Sequence, residues 1–181
     1  MLHWYRRNNI NFFDTLHARH SIRAYQSQPV EPEKLQQILE AINSAPSAGN
    51  LQAFEVYLVA DANRKAELCK SSYDQEFLMQ APIVLVFCAH AARSAVRYEE
   101  RGADLYCVQD ATIACSFGML AATALELSTV WVGAFDEEAV RGIIGAPQVH
   151  RPVAILPIGY PAADPRKRPR RSLDDLVHHV K

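Results

Sequence analysis

The chain has 181 residues, of which 49% are hydrophobic and 22% are charged, and its formal net charge is −1. This length and composition predict one soluble globular domain, spanning residues 1–181, with a sizeable core. The near-neutral charge excludes an overall field that would attract nucleic acid or an anionic membrane, so any basic site must be local.

Neither a membrane span nor a secretory signal is evident. The longest apolar run, from Ala111 to Leu125, is shorter than the roughly 20 residues that cross a bilayer, so we expect a core helix there. The segment from Met1 to Asn9 has no apolar stretch typical of a secretory signal. The cysteines form no C-x-x-C pair, which favours reduced, buried thiols and a cytoplasmic protein. They are Cys69, Cys88, Cys107 and Cys115.

Helices dominate the predicted elements of the first quarter of the chain. A short helix is expected from Phe12 to Ala18, with Asn11 as its N-cap. The irregular Arg19–Arg23 segment follows. The next helix begins at Pro32, carries apolar residues at helical spacing, and ends at Asn43–Pro46.

Strands and helices then alternate, which indicates an α+β fold with four or five strands. The run from Ile83 to Cys88 is continuously apolar and predicts a strand covered on both faces. A helix poor in polar residues, at about Leu105–Leu127, is expected to be central. Another helix begins at Asp136 and ends at Gly145. Further strands are predicted at 54–60, 129–132 and 153–158, and further helices at 62–70 and 75–80.

Two basic clusters stand out. One is Arg19-His20-Ser21-Ile22-Arg23, and the other is 166–171, in a Pro- and Arg-rich arm after Pro161. Guanidinium groups suit phosphate because they donate two parallel charge-assisted hydrogen bonds. The two clusters can converge on one phosphate. Two alternatives stay open: a solvated surface for the first cluster, and a nucleic-acid-binding tail for the second, although no stacking aromatic residues are interleaved with it.

The segment Pro46-Ser47-Ala48-Gly49-Asn50-Leu51-Gln52 joins a predicted helix to a predicted strand. Gly49 permits a positive φ and a close approach of a ligand to the backbone. The Asn50 and Gln52 amides can donate and accept hydrogen bonds at once, as the edge of a flavin or pyrimidine requires. A plain helix-to-strand turn would contain similar residues.

Other catalytic and binding motifs are missing from the sequence. It contains no G-x-G-x-x-G after a strand, no P-loop, no H-E-x-x-H and no Cys/His set at zinc spacing. No G-x-S-x-G supports a serine nucleophile. We therefore expect no metal and no catalytic side chain, with the chemistry supplied by a bound cofactor.

The order of several motifs resembles the FMN-dependent nitroreductase family, from about Phe13 to Val180. Arg19–Arg23 is similar to the family's R-[RH]-S-x-[RK], and Pro46–Gln52 to its P-S-x-x-N-x-Q. Later landmarks are Val130–Phe135, Pro157–Pro161 and the closing basic arm. The resemblance implies a nitroreductase-like α+β fold in which helices flank a central, mostly antiparallel sheet. It also implies an intertwined homodimer with two FMN sites at the subunit interface.

The resemblance also assigns residues to the phosphate side of FMN. Arg19, Ser21 and His20 would contact the ribityl-phosphate, and Arg23 the pyrimidine edge. Arg168 and Arg170 would complete the phosphate site. They belong to an arm, residues 162–181, that is expected to cross to the partner subunit.

The ring of the flavin is assigned to two other segments. Asn50, with Pro46, Ser47 and Ala48, would come from the partner and border the isoalloxazine, and Gln52 belongs to the same motif. The backbone of Val132-Gly133 would lie near flavin N5 and aim an N–H at it. The region between Ser71 and Tyr106 looks compact, so the pocket is expected to be open.

The activity implied is that of an FMN-dependent NAD(P)H oxidoreductase. Hydride from NADH or NADPH would pass through flavin N5 to a nitroaromatic, quinone or similar small-molecule acceptor in a ping-pong sequence. Alternatives with the same fold are dehalogenase or flavin-modifying chemistry, or a non-catalytic flavin-binding module. Neither nucleic acid nor a membrane is an expected partner.

Overall fold

A computed structural model of the chain describes residues 11–165 and 168–180. The segment from Met1 to Asn9, interpreted above as lacking a secretory signal, lies outside these residues. Arg166 and Lys167 of the basic arm also lie outside them.

The fold is α+β, as predicted. Within residues 11–165 and 168–180, four strands form one antiparallel sheet in the order β1-β2-β4-β3. The strands are β1 Phe54–Val59, β2 Ile83–His90, β3 Ser128–Thr129 and β4 His150–Gly159. The helices are α1 Phe12–Ala18, α2 Pro32–Asn43, α3 Ala62–Ser71, α4 Phe77–Gln80, α5 Ala91–Arg101, α6 Cys107–Ala124, α7 Glu137–Ile143 and α8 Leu173–Leu176.

Strand β2 is covered on both faces, which explains its continuous apolar sequence. Val84 and Val86 enter a core shared with α3, α4 and α7. Leu85 and Phe87 enter a second core shared with α2 and α6. Successive side chains of a strand point to opposite faces, so a strand between two helical layers must be apolar at every position.

Several predicted helix ends are confirmed in atomic detail. Asn11 accepts a hydrogen bond from the Asp14 backbone N–H at the start of α1. Asp136 does the same for Ala139 at the start of α7. Pro32 is the first residue of α2, and Gly145 follows α7 with a φ of +66°.

The central helix differs from its predicted bounds. It is preceded by a π-helical turn, Gly102–Tyr106, and by α5, which the sequence pattern did not predict. The chain turns sharply at Glu99, whose φ is +49°, and Gly102 packs against Ser94 of α5. The region between Ser71 and Tyr106 thus contains helix α5, whose Arg97 and Tyr98 side chains lie against Gly49.

By length and composition alone, the helical stretch Ala91–Ala124 would suffice to cross a membrane. In the structure, however, α6 packs against α2 and the sheet. Its buried positions include Ala111, Ala114 and Cys115. The predicted core helix is confirmed.

The pairing of β2 with β4 contains a β-bulge. Phe87 is opposite Ala154, but Cys88 is opposite Pro152, so Val153 is the extra residue on β4. Proline has no N–H to donate to a neighbouring strand, and bulges are among the few places where sheets accept it. From this point to the end of the pairing, every residue of β4 is shifted by one position relative to β2.

Candidate functional site

A cavity of about 710 Å³ joins the two basic clusters identified in the sequence. Its walls include four arginines, one histidine and one serine from those clusters: Arg19, Arg23, Arg168, Arg170, His20 and Ser21. Asp164 also lines the cavity. The arginines outnumber this carboxylate, so the cavity suits an anion such as a phosphate ester.

Backbone pairing holds the two clusters together. The Ile22 N–H donates to the carbonyl of Thr129, the last residue of β3, at 3.1 Å. The Gln26 N–H donates to the carbonyl of Tyr160, just after β4, at 2.9 Å. The Ala162 N–H donates to Ala24 O at 2.9 Å. The first basic cluster is thus fixed next to the origin of the C-terminal arm.

The side chains of the cavity are available to a ligand. Arg19 and His20 are half-buried, and Ser21 and Arg23 are exposed. The His20 ring places Nδ1 2.9 Å from Ala18 O. With the proton on Nδ1, the ring would leave Nε2 to accept from a ligand hydroxyl.

The Pro46–Gln52 segment has an unusual backbone. A 3₁₀ turn spans Ala48–Asn50, and Gly49, Asn50 and Gln52 have φ values of +56°, +58° and +50°. Glycine and asparagine adopt this left-handed region readily, but glutamine does so at a cost. Ser47 Oγ accepts the Gln52 N–H at 2.9 Å and holds the turn closed. Such backbone strain is concentrated at functional sites.

Buried and half-exposed groups that no sequence motif identified fix this turn from outside. Asp110 of α6, only 2% exposed, accepts the N–H of Ala48 at 2.9 Å and that of Ala53 at 3.4 Å. Arg93 of α5 donates to Gln52 O at 3.0 Å. The Tyr98 side chain lies directly against Gly49.

The turn and the basic cavity are separate within one chain. Pro46, Ser47 and Ala48 line a second cavity of about 590 Å³, whose other walls include Tyr106 and Ile113. No residue of the Pro46–Gln52 segment is among the described residues that line the basic cavity.

The assignment of the Val132-Gly133 backbone needs a correction at Val132. The Val132 N–H donates to Ile155 O at 3.0 Å, and Val132 O accepts the Ile155 N–H at 2.9 Å. Both polar groups are used inside the sheet, so the Val132 N–H is not free to meet a flavin. Gly133 is exposed, and within the described residues its N–H has no backbone acceptor. Neither residue lines the basic cavity.

Comparison with known proteins gives one family. The Nitroreductase family matches residues 16–75 and 63–160. The chain is 34% identical over 171 residues to the FMN reductase (NAD(P)H) of Bacillus subtilis (strain 168), covering 87% of this chain and 69% of that protein. It is 31% identical over 186 residues to the NADH dehydrogenase of Thermus thermophilus, and this match covers 88% of this chain and 91% of that protein.

Solved structures of similar oxidoreductases have the same fold as this chain. The hypothetical oxidoreductase YcnD from Bacillus subtilis superimposes with a TM-score of 0.86 at 31% identity, covering 94% of this chain and 74% of that one. The NADPH:FMN oxidoreductase from Vibrio harveyi, solved with NAD+, superimposes with a TM-score of 0.86 at 25% identity. This match covers 94% of this chain and 77% of that one. With its fold, its motifs and these matches taken together, the chain belongs to the nitroreductase family.

Proposed function

We propose that the chain is an FMN-dependent NAD(P)H oxidoreductase. The observation that carries the proposal is the arginine-lined cavity, formed by two basic clusters far apart in the sequence. Relatives named FMN reductase and NADPH-flavin oxidoreductase support the cofactor and the electron donor.

The donor set of the cavity fits FMN. Arg19, Arg168 and Arg170 would hold the phosphate, because guanidinium forks bind its oxygens in pairs. Ser21 and His20 would hydrogen-bond to the ribityl chain and phosphate. Arg23 would stabilise the negative charge of the reduced pyrimidine edge.

The chemistry that bound FMN supplies is acceptance of hydride from NAD(P)H followed by reduction of a planar acceptor, such as a nitroaromatic or a quinone. One site would serve donor and acceptor in turn, so the kinetics would be ping-pong. The protein's part is to position the ring and the substrates, for which the N–H of the exposed residue Gly133 and the Asn50 and Gln52 amides are suitable donors.

The functional unit that we propose is a homodimer of single-domain subunits. Exposed apolar side chains occur at both ends of the described chain: Phe12, Phe13, Leu16, Leu173, Leu176 and Val177. Covering this much apolar surface is a reason for subunits to associate. The separation of the Pro46–Gln52 turn from the basic cavity of its own chain supports a site that a partner's turn completes. The 162–181 arm would then cross to that partner, in the cytoplasm.

An anaerobic visible spectrum of the purified protein tests the cofactor and the activity together. The spectrum should show bound flavin, which bleaches when NADPH or NADH is added and recovers when a quinone follows. Flavin that neither donor reduces would contradict the reductase activity. No flavin after reconstitution with FMN would contradict the cofactor site as well.

A further inference from the structure

A half-buried cluster of two histidines and one glutamate lies at the end of the sheet where β2 stops and β4 starts. Glu55, His90 and His150 each present one possible ligand atom, and these three atoms lie within 4.8 Å of one another. The side chains of Glu55 and His90 are 31% and 20% exposed. An ion from solvent can therefore reach them, while the strands hold them in place.

The register of the sheet explains why the three side chains share one face. His90 is directly opposite His150, and Glu55 is opposite Cys88, two residues before His90. Residues two apart on a strand point to the same face. The bulge at Val153 is decisive, since regular pairing continued from Phe87 and Ala154 would place Arg151 opposite His90 in place of His150.

Hydrogen bonds orient the cluster. His90 Nδ1 lies 3.1 Å from Glu55 Oε1, and His150 Nδ1 lies 2.6 Å from the Tyr57 hydroxyl. The two imidazole rings meet edge to face at 4.7 Å between centroids. An outer partner such as the Tyr57 hydroxyl fixes the orientation of an imidazole ligand in metal sites.

Arg93 is a cation close to the cluster that has to be reconciled with a metal ion. Its Nη2 lies 3.0 Å from Glu55 Oε1, the same oxygen that faces His90. Among the described residues, the other oxygen, Oε2, has no hydrogen-bond or ion-pair partner. The carboxylate can therefore keep Arg93 on one oxygen and offer the other to an ion. Arg93 itself is 43% exposed, so solvent screens its charge.

We propose that Glu55, His90 and His150 form a binding site for a divalent transition-metal ion of the zinc class, with water completing the coordination. Two imidazoles and one carboxylate are a donor set that zinc accepts, and imidazole also suits copper, nickel and cobalt. Magnesium and calcium prefer oxygen ligands, so the site should reject them.

The three ligands come from three strands, with a separation of 35 residues from Glu55 to His90 and a further long separation before His150. Short spacings such as C-x-x-C or H-x-x-x-H therefore cannot reveal the site. The site is distinct from the basic cavity, with which it shares no lining residue. Its link to the proposed flavin site is Arg93, which contacts both Glu55 and the Gln52 carbonyl.

The test is a calorimetric titration of ZnCl₂ into the full chain. The protein carries no affinity tag, and it is first treated with a chelator and then reloaded with FMN. We expect one ion per chain. Replacing both His90→Gln and His150→Gln should weaken binding by at least about 100-fold, since even outer partners of metal ligands are worth about 10–100-fold. The matched control replaces His178→Gln and His179→Gln in the exposed C-terminal arm and should bind as the wild type does. Unchanged binding in the cluster variant would overturn the proposal.

A second measurement needs no variant. Co²⁺ bound by two imidazoles and a carboxylate should add visible d–d absorption bands to the spectrum of the wild-type protein, and excess Zn²⁺ should remove them. An added spectrum identical to that of aqueous Co²⁺ would overturn the proposal. Flavin content and flavin reduction in the same samples report on the oxidoreductase activity separately, so failure of one assignment is distinguishable from failure of the other.

Discussion

The carboxylate of Asp110 accepts the Ala48 N–H at 2.9 Å across 62 residues of chain, and with its other oxygen it accepts the Ala53 N–H at 3.4 Å. One buried side chain on the central helix thus holds both ends of the turn that carries Asn50 and Gln52. A carboxylate suits this task, because it only accepts hydrogen bonds and can take one on each oxygen.

Replacing Asp110→Asn should weaken this attachment. An amide directs N–H groups at one of the two backbone donors and leaves a buried group unpaired, at a cost of about 1–3 kcal/mol in the free energy of unfolding. Chemical denaturation measures the loss. The control is Asp136→Asn at the exposed N-cap of α7, where asparagine caps nearly as well as aspartate. Equal stability of the two variants would contradict the role given to Asp110.

Gly49 should accept a side chain only at a cost, chiefly because of its left-handed backbone conformation. Its φ is +56°, and an added Cβ would lie 2.6 Å from the Tyr98 hydroxyl and 2.9 Å from Arg97 Nη1. Gly49→Ala should therefore strain the turn and lower both stability and FMN affinity, as thermal unfolding and a flavin titration will show. Gly142 in α7 is the matched control, because no atom of the described residues lies within 4 Å of its added Cβ. There alanine should stabilise the protein by up to about 1 kcal/mol. Gly49→Ala at wild-type stability and affinity would refute the prediction.

Arg19→Ala should reduce FMN retention by about 1.5–3 kcal/mol, the value of a hydrogen bond to a charged group. This corresponds to roughly 10–150-fold in the dissociation constant, which flavin fluorescence measures. Arg64→Ala serves as the control, because Arg64 is exposed on α3 and pairs with Glu67 at 3.5 Å. Undiminished flavin content in Arg19→Ala would count against the phosphate site.

The arm should contribute to dimerisation through its exposed leucines. Leu173 and Leu176 are 73% and 54% exposed in the single chain. Covering such a side chain with a partner contributes up to about 1.5–3 kcal/mol, so changing both to serine should shift the protein toward monomers. Sedimentation at matched concentrations measures this shift, with Val96→Ser as the control at an 86% exposed position of α5. If the double variant stays as dimeric as the wild type, the arm does not hold the dimer.

The cysteines should be unreactive in the folded protein. Burial raises the pKa of the Cys88 thiol to about 12. Burial is also the chief reason why the pKa values of Cys115, Cys69 and Cys107 are raised. A thiol whose folded pKa is raised stays protonated at neutral pH, and the thiolate is the nucleophile. A disulfide reagent at about pH 7.5 should therefore titrate no thiol until denaturant exposes the four. Fast reaction without denaturant would mean that a thiol is accessible.

Much of the fold could be predicted because its signals are local. Pro32, Asp136 and Gly145 mark helix ends by their own backbone chemistry, and the apolar run of β2 reports burial on both faces. Helix α5 was missed because Ala91–Arg101 is rich in charged residues, and its inward face is made mostly of small residues: Ala91, Ser94, Ala95 and Tyr98. Its contact with Gly49 depends on packing between distant segments.

The site was predictable in part for the same reason. The residues of each basic cluster are adjacent in the chain, so their shared chemistry is evident from the amino-acid sequence alone. The Asp110 bonds and the use of the Val132 N–H inside the sheet depend on strand register and on how α6 packs, which no spacing pattern records. That FMN binds to the assigned residues stays a prediction until the flavin measurements above are made.

Because of the bulge at Val153, the residue of β4 that stands opposite His90 does not depend on the number of residues in β4. Deleting Val153 would close the bulge and still leave His150 opposite His90, because the pairing on either side already skips this residue. A slip into regular pairing without a deletion would instead bring the Arg151 guanidinium opposite His90 and turn His150 away. The cation site that we propose would then have a guanidinium in place of one imidazole beside Glu55 and His90. The position of the bulge, and not the length of β4, therefore decides whether an imidazole or a guanidinium stands opposite His90.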